Sequence, residues 1–140
     1  MNTLPALLNH EEVSVSQIGL NERWFQEKIC ENPSFLPSLG NPVLEGRKVN
    51  LPAGRIDIIL YDEKSNTEYQ VKVQPGRLNA DHLLKAVEYW NHRKQLSPER
   101  NHCTALVVER FSGVLPHIKV PLIIFEVKTL KVNYNFGGNC

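Results

Sequence analysis

Hydrophobic residues recur along this chain with two different periods. Over 16–31 apolar side chains return every three or four positions, Phe25 and Ile29 among them, which predicts a first helix. The stretch ENPSFLPSLGNP ends it with prolines and a glycine. A period of two takes over at 43–51, 55–61 and 68–74, predicting three strands, the last two joined by the polar loop DEKSN. QPGRLNAD reads as a turn, with Asn79 or Asp81 placed to cap a helix over 82–96. Leu83, Leu84, Val87 and Trp90 give that helix an apolar stripe. CTALVVE then reads as a buried strand, FSGVLPHI as a short helix or turn, and PLIIFEV as a last strand opening on Pro121. The order α-β-β-β-α-β-(α)-β places an antiparallel meander before a β-α-β crossover. It predicts an α/β fold with a mixed central sheet and helices on both sides. One domain over 1–133 is expected, with 134–140 as a short loose tail.

Four polar residues break the apolar pattern of the second and third strands. Strand side chains alternate faces, so Gln70, Lys72 and Gln74 share one face while Tyr69, Val71 and Val73 share the other. If 55–61 and 68–74 pair as a hairpin, Asp57 comes beside the Gln70–Lys72–Gln74 row. A carboxylate, two amides and an ammonium then meet on one side of a sheet. One account is a structural ion pair between Asp57 and Lys72 on a half-solvated face; the other is a site. Desolvating both charges makes stability alone a poor reason to keep a buried pair. On the first helix Glu22, Phe25, Gln26 and Ile29 lie at i, i+3, i+4 and i+7. Glu22 therefore sits at the edge of the core-facing stripe and Glu27 is turned away from it.

Composition narrows the classes of function. The 140 residues suit one domain with a real core, and 41% hydrophobic and 22% charged residues are ordinary for a soluble protein. No apolar run is long enough for a membrane helix, and the N-terminal residues lack the pattern of a secretory signal, so a cytoplasmic protein is expected. Cys30, Cys103 and Cys140 read as free thiols in a reducing compartment. A net charge of +1 provides no overall field toward nucleic acid, so any such partner would be held by a local basic patch.

GRID on one strand, a short hairpin and QVK on the next, between a glutamate-bearing helix and a following helix, resemble the PD-(D/E)XK nuclease superfamily. The resemblance covers roughly 22–127 and is nearest to the RecB-like branch that includes mismatch and branched-DNA endonucleases. It implies a restriction-endonuclease-like core and Mg²⁺-dependent (or Mn²⁺-dependent) hydrolysis of DNA. By position it makes Asp57, residue 70 and Glu22 the metal ligands and Lys72 the group that orients the attacking water. Gln74 matches a glutamine frequent in this branch and joins Asp57, Gln70 and Lys72 in the catalytic set. Arg55, Arg77, His82 and Lys85 are placed to reach phosphates, with Arg47 and Lys48 nearby. Tyr89 and Trp90 are candidates for stacking on bases, although Trp90 also falls on the apolar stripe. Arg93, Lys94, His92 and His102 read as solvated surface residues. So small a domain favours structure- or strand-state-selective cutting, and cleavage of both strands favours a homodimer.

The chain departs from the family at Gln70, where the pattern calls for Glu or Asp. An amide keeps the shape but removes a negative charge from a site meant for a hard cation. Three accounts stand at this point: a working ligand, a natural loss of activity, or an engineered change. Beside the nuclease stands the alternative of a non-catalytic DNA-binding or protein-interaction module on the same scaffold.

Overall fold

The computed structural model describes residues 22–110, 118–126 and 131–136, and the side chains of Pro75, Arg77, Arg110 and 131–136 lie outside that description. Helix α1 covers Glu22–Glu31 and is followed by a 3₁₀ turn, Pro33–Phe35. Strands β1 (Val43–Leu51), β2 (Gly54–Asp62) and β3 (Thr67–Arg77) precede helix α2 (Ala80–Leu96). Strands β4 (Asn101–Arg110), β5 (Leu122–Glu126) and β6 (Lys131–Phe136) follow it. The six strands form one sheet in sequence order. β1, β2 and β3 pair antiparallel, β3–β4 and β4–β5 are parallel, and β5–β6 is antiparallel. The expected meander, crossover and mixed sheet are present.

Strand parity explains why the sheet is covered twice. Val71, Val73, Ala105, Val107, Ile123 and Phe125 face α1 and bury its Phe25 and Ile29. The intervening Leu106, Val108, Leu122 and Ile124 face α2 and bury its Leu83 and Ala86. β4 lies between two parallel neighbours and is buried on both faces, so it reads as an apolar run without alternation.

Several expectations change. The buried stripe of α2 is Leu83, Ala86 and Tyr89, and Leu84 is exposed. β6 extends through residues 134–136, which were assigned to the tail. Residues 16–21 of the expected first helix and 111–117 of the expected short helix lie outside the described residues. Cys30 is a free thiol, but Cys103 is disulfide-bonded, which corrects the reading of all three cysteines as free thiols. Among the described residues no helix is long and apolar enough to cross a membrane.

Two irregularities shape the sheet beside the polar residues. β1, at the sheet's edge, carries a register shift between Leu44 and Gly46, and Lys48 within it adopts a left-handed backbone with φ of 52°. Where β2 begins, Gly54 has φ of 148°, and a Cβ there would stand 2.9 Å from the Tyr89 hydroxyl. The Tyr89 ring that carries this hydroxyl is itself buried. Gly54→Ala should therefore lower stability by about 1–3 kcal/mol, read as a reduced urea midpoint. An unchanged midpoint would show that the ring gives way freely.

Candidate functional site

Asp57 sits where the β2–β3 ladder stops. The paired residues run from Asp62↔Thr67 to Ile58↔Val71. Beyond them Val73 gives its backbone N–H to Asp57 Oδ2 at 2.9 Å. The alternation of β2 also slips here, because Ile56 and Ile59 both pack with Tyr89 while Ile58 faces α1. The Asp57 carboxylate thus replaces a missing backbone acceptor in the gap between two strands. Its other oxygen, Oδ1, lies 3.4 Å from Lys72 Nζ and 3.6 Å from Arg55 Nη2. Lys72 also donates to the Arg55 carbonyl at 3.2 Å. Asp57 is buried, whereas both cations keep partial access to solvent. The expected meeting of Asp57 and Lys72 is therefore seen.

Gln70 belongs to a different group. Its amide nitrogen donates to Glu68 Oε2 at 2.8 Å and lies 3.0 Å from His102 Nδ1. Its oxygen accepts from Thr104 Oγ1 at 3.2 Å, across the register pair Gln70↔Thr104. His102 Nε2 lies 2.8 Å from the Ser97 carbonyl, so the proton belongs on Nε2 and Nδ1 accepts from Gln70. Arg93 grips Glu68 with Nε at 2.7 Å and Nη2 at 2.9 Å. Arg100 reaches Glu68 at 3.1 Å and Glu45 at 2.6 Å, its guanidinium lying over the Tyr61 ring. Glu68, Gln70, His102 and Thr104 are all buried. The expected convergence of Gln70 on Asp57 and Lys72 is thus corrected: the amide's donors and acceptor are taken up by Glu68, His102 and Thr104. Arg93 and His102, read as surface residues, are parts of this interior network.

The other candidates spread around the Asp57–Lys72 pair. A cavity of about 450 Å³ opens beside α1, and Glu22 and Glu27 both line it together with Arg55. Glu27 is tied to Arg47 at 2.9 Å, a contact that holds its carboxyl below the usual range. His82 caps α2: Asn79 Oδ1 accepts its backbone N–H, and its Nδ1 accepts the Asn79 N–H. Burial, with Lys85 and Lys72 nearby, lowers the affinity of the His82 imidazole for a proton. Lys85 is exposed one turn further along. Gln74 pairs with Val108 in register, just before the Pro75–Gly76 irregularity of β3. Arg77 ends β3, and its side chain lies outside the described residues. Tyr89 is buried and Trp90 donates its indole N–H to the His102 carbonyl at 2.7 Å, so both serve the fold.

These residues do not fit a magnesium ion as they stand. A hard cation asks for several free oxygen ligands. Asp57 gives one oxygen to a backbone N–H and the other to two cations, and the Gln70 oxygen is taken by Thr104. Among the described residues no three His, Cys, Asp or Glu side chains gather closely enough to hold a metal.

No protein-family model matches the chain, and no curated protein does. Solved structures do. A repair endonuclease from Pyrococcus abyssi superposes with a TM-score of 0.56 at 17% identity, over 66% of this chain and 39% of that one. An EndoMS complex with double-stranded DNA gives a TM-score of 0.56 at 16% identity, over 66% of this chain and 37% of that one. The chain thus spans well under two thirds of either neighbour's length. At such identity the likeness establishes an α/β fold shared with repair endonucleases.

Proposed function

We propose that this chain is a DNA-binding protein built on an endonuclease-like fold, with a hydrolytic centre left incomplete at residue 70. One observation carries the reading. Asp57 and Lys72 meet at the end of the β2–β3 ladder, while Gln70, the third member of the expected set, is drawn into the Glu68 network. The exposed cations around the pair, Arg55 and Lys85 among them, supply phosphate contacts. Support for DNA as the partner comes from the fold's likeness to a structure determined with double-stranded DNA. A second reading, favoured by the 3.4 Å Asp57–Lys72 contact, is a Mg²⁺-dependent, structure-selective endonuclease acting as a homodimer.

Fluorescence anisotropy with duplex, branched and single-stranded DNA tests the first reading, and nicking assays with Mg²⁺, Mn²⁺ or EDTA test the second. Binding should weaken steeply with salt, because each phosphate contact releases condensed counterions. Arg55→Ala should weaken it on all sequences alike and lower the log–log salt slope by about one unit. A flat salt response would remove DNA as the partner. Metal-dependent nicking that Asp57→Asn abolishes would establish the endonuclease instead.

A further inference from the structure

We propose that the cavity beside α1 is a seat for a phosphomonoester dianion, carried by the end of a nucleic-acid strand or by a mononucleotide. Its strand-end form rests on the DNA-binding reading; its mononucleotide form does not.

The lining is cationic beyond what its own acids neutralise. Arg23, Arg47, Lys48 and Arg55 face it against Glu22 and Glu27. Arg47 is engaged by Glu27 at 2.9 Å, and Arg55 shares Asp57 only at 3.6 Å. Arg23, Lys48 and much of Arg55 therefore remain for a ligand. A phosphomonoester carries close to two negative charges near neutral pH, whereas a phosphodiester carries one. The excess of two cations over carboxylates suits the monoester.

Two further observations point to a ligand independently of charge. Gln26 lines the cavity, is only 5% exposed and has no hydrogen-bond partner among the described residues. A buried amide left without partners is unfavourable, and a phosphate oxygen would accept from it. Lys48 holds its left-handed backbone (φ 52°) in the middle of a strand, a region where lysine is rarely found and which concentrates at functional positions. Shape agrees as well. A cavity of about 450 Å³ lies in the range of small-molecule pockets, which suits one terminal group. Glu22, on the same wall, offers an acceptor for a sugar hydroxyl beside the phosphate.

The test uses the full chain and labelled single strands ending in a 5′-phosphate, a 3′-phosphate or hydroxyls only, with EDTA present. Unlabelled mononucleotide and inorganic phosphate serve as competitors. One phosphorylated end should bind roughly tenfold more tightly than the hydroxyl end, and mononucleotide should compete for it. Lys48→Ala and Gln26→Leu should each erase that preference. Thermal melting should show Gln26→Leu folded and at least as stable as the parent, since it removes an amide that lacks a partner. Equal affinity for phosphorylated and hydroxyl ends, without competition by mononucleotide, would overturn the proposal. So would a preference that survives both substitutions. Salt-steep binding of every end alike would leave the DNA reading intact and remove this seat. Mononucleotide binding without any oligonucleotide binding would do the reverse.

Discussion

Replacing Glu68 by alanine should cost about 3–5 kcal/mol of folding stability, the range observed when one partner of a buried ion pair is removed. The carboxylate is fully buried and accepts from Arg93, Arg100 and Gln70. Without it the Arg93 side chain, only 14% exposed, keeps its charge inside the fold with nothing to match it. Against a typical total of about 5–15 kcal/mol, that loss brings the domain close to unfolding. Urea denaturation reads it directly, and a variant melting like the parent would show that the network contributes little. The same carboxylate sets an acid limit. Burial raises its pKa, but the Arg93 guanidinium and the Gln70 amide, which both donate to it, hold it well below the usual carboxylate range. A depressed folded-state pKa contributes stability in full above the unfolded value of about 4.3 and loses it as pH falls toward the folded value. Stability of the parent should therefore fall on acidification below about pH 5, and Glu68→Ala should be less sensitive there.

Gln70→Glu distinguishes the two functional readings. Were residue 70 free to face Asp57, a carboxylate there would complete an acidic set and bring metal-dependent cleavage with it. The structure gives the opposite expectation. The amide donates to Glu68 at 2.8 Å, so the substitution sets two carboxylates together in a buried place and removes a charge-assisted hydrogen bond. Stability should drop by about 3 kcal/mol at pH 7. Part of it should return at pH 5, as the two carboxyls come to share a proton. Cleavage should not appear. Unchanged urea midpoints together with new Mg²⁺-dependent nicking would show that residue 70 can turn toward Asp57, and would restore the endonuclease.

The meander and the crossover were legible because they depend on local periodicity. Alternation in 55–61 and 68–74 placed the strands, and the amphipathic stretch between parallel strands placed α2. Asp57 and Lys72 were legible for the same reason, as nearly opposite positions of one hairpin. Gln70 was not. Parity puts it on the face of Lys72, but two of its three partners come from β4, and no pattern along the chain reveals that His102 and Thr104 stand beside it. Arg93 reads as a surface residue because a charged side chain on a helix is ordinarily solvated, and His102 because it stands just before the apolar run of β4. The signal that was available was Glu68, two positions before Gln70 and on its face, a carboxylate in a strand expected to be buried. β6 was missed because glycine and asparagine next to it outweighed the alternation of Val132, Tyr134 and Phe136.

The irregular backbone of β1 also bears on how copies of the protein behave at high concentration. An outer strand with a straight row of unpaired N–H and C=O groups is a template on which a second molecule can extend the sheet, the first step of fibrous aggregation. β1 has the apolar residues for it, with Val43 58% and Leu44 39% exposed. The extra residue near Glu45 and the left-handed turn at Lys48 interrupt that row within a few positions. Charged Glu45, Arg47 and Lys48 follow the two apolar residues, so an incoming strand would have to bury them. The kink that presents Lys48 to the cavity thus also works as a gatekeeper, keeping the outer strand from recruiting its own kind.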